Sequence, residues 1–236
     1  MKAFFNELAE LRENKKKRHE MGLCLIEGKK AIVEIANKRP LVHLLTTEEH
    51  PHVKAKETFH VTQEVIEKIS GNVTPDGWVA TTAMPAASTL DSCRWVLALD
   101  RIQDPGNMGT LVRTALAFGF EGLFLISGGV DLFNDKVLRA TKGSALFIPY
   151  REGTAQDLLS FQQKHSLSIY AGDLNGSFPE QAPSGAILIL GNEGQGISPI
   201  FKDQTLPLTI PISDQVESLN VAVAGSLLMA KLKGIL

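Results

Sequence analysis

Cysteine is scarce in this chain: Cys24 and Cys93 are the only two among 236 residues. A framework of several disulfides is thereby excluded, and a reducing compartment suits the sequence. Long apolar runs are missing as well. None reaches the roughly 18–20 residues that a membrane-spanning helix needs. The opening stretch MKAFFNELAELRENKKKRHE is charged throughout and lacks the apolar centre of a signal peptide, so the predicted location is cytoplasmic. His50 and His52 stand without further metal-ligating partners, and no metal site is expected. There is no internal repeat, no low-complexity tract and no large net charge, which is −2 at neutral pH.

What remains is an ordinary globular composition, 44% hydrophobic and 21% charged, in a chain long enough for one large or two smaller domains. Its charge is unevenly placed. Residues 1–40 hold ten Lys/Arg and six Asp/Glu, a net of +4, whereas residues 41–236 hold fourteen and twenty, a net of −6. The basic head is densest at ENKKKRH, residues 13–19. Such a run is either a solvated helical face or a phosphate-contacting patch.

Periodicity predicts an α/β unit over residues 1–82. Phe4, Phe5, Leu8 and Leu11 fall at helical spacing. LCLIEG, LVHLL, TFHVT and GWVATT read as strands; one helix opens at Gly28 and another, QEVIEKIS, is closed by Gly71. The small, polar, Pro-containing AMPAASTLDS, residues 83–92, reads as a linker. In residues 93–236 the predicted strands are RWVLALD, GLFLIS, ALFIPY, LSIYAG, AILIL and TLPLTI. The predicted helices are NMGTLVRTALAFG, FNDKVLRATKG, TAQDLLSFQQKH and residues 218–233. Near-continuous apolar strands between helices predict a mostly parallel sheet covered on both faces.

Ligands of open parallel sheets bind at the carboxyl ends of strands, and three strand ends here carry unusual loops. In LALDRIQDPGNMGTLVRTALAFG, Pro105-Gly106 makes a turn, Asn107 can cap a helix, and Gly109 permits close approach. Arg113 lies four residues on, along a mostly apolar face. In LILGNEGQGIS, residues 188–198, three glycines surround Asn192 and Glu193. This loop has neither the Lys of a phosphate loop nor the G-x-G-x-x-G order of a dinucleotide fingerprint, although Asp214 keeps a dinucleotide reading open. In LTIPISDQVESLNVAVAGSLL, Pro211 breaks a strand and frees the backbone of Ile210 and Ile212, and Ser218-Leu219-Asn220 precedes an apolar helix. Gly225 inside that helix suits a place where another backbone comes close.

Together the three loops resemble the signature motifs of the SpoU (TrmH-like) family of RNA 2′-O-ribose methyltransferases, within the SPOUT superfamily. They are Asn107-x-Gly109-x-x-x-Arg113, then Leu190-Gly191-Asn192-Glu193-Gly194-x-Gly196, then Ile210-Pro211 with Ser218-Leu219-Asn220-Val221. CLIEGKKAIVEI is similar to the family's N-terminal substrate-binding module, which has the fold of ribosomal protein L30e. The resemblance implies an α/β architecture: a small L30e-like domain over residues 1–82 and a SPOUT α/β-knot over residues 93–236. The latter is a mostly parallel sheet whose C-terminal segment forms a deep trefoil knot, a rarity among proteins. It also implies S-adenosylmethionine as cofactor, no metal, a homodimer with the active site at the subunit interface, and RNA as partner. Ribosomal RNA is favoured over tRNA by the N-terminal module.

The implied reaction is attack by a ribose 2′-oxygen on the sulfonium methyl. Arg113 is the implied catalytic residue. A guanidinium stays charged, so its physical role is to hold the target phosphate and stabilise the developing alkoxide. Glu193 would orient Arg113 or the ribose, Ser218 and Asn220 would hydrogen-bond the 2′-oxygen and the donor, and Asn107 would fix the Arg113 loop. Cofactor contacts are expected from Leu190, Gly191, Asn192, Gly194, Ile210, Ile212, Ser218, Leu219 and Val221. RNA contacts are expected from Lys15, Lys16, Lys17, Arg18 and Lys29. The alternatives are a nucleotide- or dinucleotide-binding enzyme of ordinary doubly wound topology, and a non-catalytic RNA-binding protein of the same fold.

Overall fold

The computed structural model describes residues 1–72, 74–173 and 176–236. In chain order its elements are α1 Lys2–Glu10, α2 Lys15–Met21, β1 Leu23–Glu27, α3 Lys29–Ala36, β2 Leu41–Thr46, β3 Ala55–His60, α4 Gln63–Ser70 and β4 Trp78–Ala83. There follow β5 Trp95–Asp100, α5 Pro105–Ala117, β6 Gly122–Ile126, α6 Asp135–Ala140, β7 Tyr150–Gly153 and α7 Ala155–His165. The chain ends with β8 Ile169–Gly172, β9 Ala186–Gly191, β10 Leu206–Leu208 and α8 Val221–Leu232. Among the described residues no helix is long and apolar enough to cross a membrane.

The chain divides into two compact units. The first holds residues 1–86 together with 131–146; the second holds 87–130 and 147–236. The first unit has a four-stranded sheet of order β1-β4-β2-β3, in which β2 and β3 are the one parallel pair of neighbours among the described residues. Leu8 and Leu11 at the N-terminus and Ile66 and Ile69 of α4 bury their helical stripes against Leu25, Leu45 and Val79 of the sheet. Burial pushes the Cys24 thiol up to about 12, which leaves it a neutral core group.

Residues 131–146 fall within the domain that the sequence suggests for 93–236, yet they pack with the first unit. Polar contacts explain this. Buried Arg18 of α2 pairs with Asp131 and donates to the Leu11 and Arg12 carbonyls. Arg139 of α6 bonds Glu27 and Asn72, each at 2.9 Å, and Arg39 donates to the Leu146 carbonyl at 2.8 Å. The predicted strand ALFIPY dissolves here. Lys142 and Gly143 take left-handed φ of 50° and 80°, Ser144–Leu146 form a 3-10 turn, and the strand begins only at Tyr150. Ala145 and Leu146 are buried as packing residues rather than as strand. A short apolar run does not by itself distinguish the two.

The second unit is a six-stranded, wholly parallel sheet of order β10-β8-β9-β5-β6-β7. Its central strands, WVLALD and GLFLI, are buried at every position, as expected for strands covered on both faces. Helix α8 begins at Val221, so Ser218 and Leu219 lie before it and Asn220 is its N-cap. Gly225 sits against α5, but the close neighbours are side chains, not backbone. A Cβ there would lie 2.4 Å from Leu190 Cδ1 and 2.6 Å from Leu111 Cδ2.

Replacing Arg18 with Ala strands Asp131 and two carbonyls. The expected outcome is a loss of about 3–5 kcal/mol, read as a lower urea midpoint. Lys16→Ala, at a side chain 86% exposed, should leave the midpoint in place.

Candidate functional site

Strand order runs from β5 outward through β6 to β7, then resumes on the other side of β5 with β9, β8 and β10. A parallel sheet opens a crevice at such a reversal, beyond its carboxyl ends. Here the segments following β8, β9 and β10 enclose a cavity of about 600 Å³. Its apolar wall includes Leu190, Leu208, Ile210, Ile212, Leu219 and Val221. Its polar lining includes Asn192, Ser218 and Asn220, together with the carboxylates Asp173, Glu193 and Glu217. No Lys or Arg is among the described lining residues.

The glycine loop after β9 closes tightly on its own strand. A Cβ at Gly191 would lie 2.2 Å from the Gly196 carbonyl carbon and 2.3 Å from the Ile197 nitrogen, so only glycine fits. Asn192 shapes the turn. Its Oδ1 accepts the Gly194 and Gln195 amides, both at 3.0 Å, and its own carbonyl accepts Gly196 N–H at 2.8 Å. Gly194, an expected cofactor contact, serves that turn and is not among the residues that line the cavity.

A relay of side chains ties the three loops together. Asn107 Nδ2 donates to Glu193 Oε1 at 3.0 Å, and Asn220 Nδ2 donates to Asn107 Oδ1 at 3.0 Å. Asn220 Oδ1 also caps α8 by accepting Ala222 N–H at 2.9 Å and Val223 N–H at 3.3 Å. The cap of α5 is Asp104 rather than Asn107. Its Oδ1 accepts the Asn107 amide at 2.7 Å, with Pro105 in the first helical position.

Of the expected cofactor contacts, Leu190, Gly191, Asn192, Ile210, Ile212, Ser218, Leu219 and Val221 all line the cavity. Of the expected catalytic set, Glu193, Ser218 and Asn220 line it, and Asn107 reaches it through hydrogen bonds. Arg113 does not: it is exposed on α5 and makes no side-chain hydrogen bond or ion pair among the described residues. Asp173 and Glu217 were missed by sequence reading, which had only motif spacing to follow. Asp214, the residue that kept a dinucleotide reading open, is not in the lining.

The expected RNA contacts fare unequally. Arg18 is 1% exposed and committed to Asp131, so it is not a surface cation. Lys17 pairs with Glu7 at 3.4 Å, and Lys29 pairs with Glu48 while lying over the Trp78 ring. Lys15 and Lys16 are exposed, and Lys16 stands 3.7 Å from Glu20. Among the described residues no group of three or more His, Cys, Asp or Glu could hold a metal.

Comparison with known proteins agrees with this geometry. Residues 94–230 match the SpoU rRNA Methylase family, and residues 4–80 match the MRM3-like substrate binding domain. The chain is 31% identical over 229 residues to the 23S rRNA (guanosine(2553)-2′-O)-methyltransferase RlmP of Bacillus subtilis, covering 93% of this chain and 92% of that one. An rRNA methyltransferase from Sinorhizobium meliloti, solved with AdoMet bound, superimposes with a TM-score of 0.85 at 25% identity, over 99% of this chain and 95% of that one. A TrmH-family protein from Porphyromonas gingivalis gives 0.84 at 31% identity, over 98% and 97%. The deep trefoil knot of the SPOUT fold is thus the fold of the second unit.

The cavity suits S-adenosylmethionine on physical grounds. It is acidic, with three carboxylates and no lining cation among the described residues. That favours a sulfonium and disfavours the pyrophosphate of a dinucleotide. Gly191→Ala forces the loop off its strand. It is expected to weaken S-adenosylmethionine binding by about tenfold or more, as calorimetry on the full chain would show.

Proposed function

Since the chain belongs to the SpoU rRNA methylase family, we propose that the RNA it methylates is ribosomal and that it works as a homodimer. The activity, S-adenosylmethionine-dependent methylation of an RNA ribose 2′-oxygen, goes with the family. The choice of ribosomal RNA is supported by the N-terminal substrate-binding match over residues 4–80 and by near full-length similarity to a 23S rRNA enzyme. The observation that carries the methyl-transfer part of the reading is the acidic, apolar-walled cavity with Asn107 joining Glu193 to Asn220.

Bound in that cavity, S-adenosylmethionine supplies an electrophilic methyl on a cationic sulfonium. Asp173, Glu193 and Glu217 balance that charge. The backbone around Leu190, Gly191, Ile210, Ile212 and Leu219 holds the adenine and methionine parts. Glu193, steadied by Asn107, orients the target ribose or Arg113. The Ser218 hydroxyl hydrogen-bonds the 2′-oxygen. Asn220 acts mainly by capping α8 and fixing Asn107. Lys15 and Lys16 contribute phosphate contacts in the first unit.

Arg113 completes the site from the partner subunit. Three features support this: it lies outside its own chain's cavity lining, it is exposed, and it has no partner among the described residues. Leu116 lies one turn further along α5, and Val223 and Leu227 of neighbouring α8 are also exposed. An apolar face beside a bare cation suits contact with a second copy. There the guanidinium clamps the target phosphate and stabilises the forming alkoxide, and the proton passes to phosphate or water.

Arg113→Ala is expected to leave cofactor affinity nearly intact and to lower the single-turnover methylation rate by about 10³-fold. Arg113→Lys should restore little, because an ammonium lacks the planar fork. At donor concentrations too low to fill Gly191→Ala sites, subunit exchange between Arg113→Ala and Gly191→Ala chains should return activity, since each hybrid holds one intact site. Hybrids that form but stay inactive refute the shared site. Mapping 2′-O-methylation in cells lacking the protein tests the RNA: loss of a mark on tRNA, with ribosomal RNA unchanged, would overturn that part.

A further inference from the structure

Asp100 ends the central strand β5 with its side chain wholly buried. Its carboxylate accepts the Ser198 amide, the Ser198 hydroxyl at 3.0 Å and Arg101 Nε at 2.9 Å. Arg101 is left-handed, with φ of 59°, a conformation disfavoured for a residue with a Cβ. That turn presents its carbonyl to Asn192 Nδ2 at 3.0 Å. Its guanidinium reaches Gln195 Oε1 at 2.8 Å and Gly196 O at 3.5 Å. Two consecutive residues therefore grip positions 192, 195, 196 and 198. Neither of the two lines the cavity itself.

We infer that Asp100 and Arg101 are positioning residues for the methyl donor: they hold the backbone of 191–198 in its binding shape beforehand and so set cofactor affinity rather than the methyl-transfer step. A loop with glycines at 191, 194 and 196 has much conformational freedom to lose on binding. Fixing it in advance removes that cost from the binding equilibrium. A buried carboxylate suits the task, since it accepts several donors at once and leaves none of them unpaired. The inference rests on the cavity being the S-adenosylmethionine site.

Asp100→Asn risks the fold, because it turns an amide toward donors in a buried place. Arg101→Gly and Ser198→Ala decide the matter. Glycine keeps the left-handed turn while removing the whole arginine side chain; alanine at 198 removes only the hydroxyl. Each should raise the S-adenosylmethionine Kd of the full chain roughly tenfold by calorimetry. In cofactor-free protein each should speed hydrogen exchange at the Gly194, Gln195, Gly196 and Ser198 amides. The single-turnover rate at saturating donor should stay within about twofold, and Ser198→Thr should restore the Kd. Unchanged Kd despite faster exchange would overturn the inference. So would a fall in the saturated rate with Kd unchanged. Failure of the unaltered chain to bind S-adenosylmethionine would instead bring down the cofactor reading on which the inference stands.

Discussion

One carboxamide, that of Asn107, joins three segments that lie far apart in the chain. Its partners Glu193 and Asn220 are 86 and 113 residues away. The geometry needs a donor and an acceptor on the same planar group, which an aspartate or an aliphatic side chain of that size does not offer. The relay is possible because β5 and β9 are neighbours in the sheet, paired in register from Trp95 with Ala186 to Asp100 with Gly191. That pairing delivers the α5 entry and the glycine loop to one place, and the cap of α8 then closes the set.

Charge is divided around this centre. The cavity gathers carboxylates, while Arg113 stands outside it on the solvent face of α5. Such a division suits a cationic ligand to the cavity and an anionic polymer to the surface outside it. The separation gives a physical reason for the second subunit we propose, in which one chain would hold the donor and the other would supply the cation that acts on the phosphate and the alkoxide.

The basic head shows how a charge run misleads. ENKKKRH reads as one patch, but α2 turns its residues to different surroundings. Arg18 points inward, where it binds Asp131 and the Leu11 and Arg12 carbonyls, while Lys16 remains in water. Helical geometry separates neighbours by about 100°, so adjacency in sequence says little about a shared surface. What buries Arg18 is a carboxylate more than a hundred residues away, beyond the reach of any local rule.

Local periodicity and turn chemistry were enough to determine most of the elements. QEVIEKIS forms α4 over its full length and closes at left-handed Gly71, and the alternation after residue 93 becomes a parallel sheet with buried strands. The three loops were legible because ligand contact demands glycine, proline and short amides at fixed spacing. Undetermined locally were the strand lost at ALFIPY, the allegiance of residues 131–146 to the first unit, the side chains facing Gly225, and the entry of Asp173 and Glu217 into the cavity. Those depend on which distant groups desolvate and pair with one another. The sequence sets each residue's chemistry and local preference, but only the folded chain decides whether an arginine faces solvent, as Arg113 does, or a distant carboxylate, as Arg18 does.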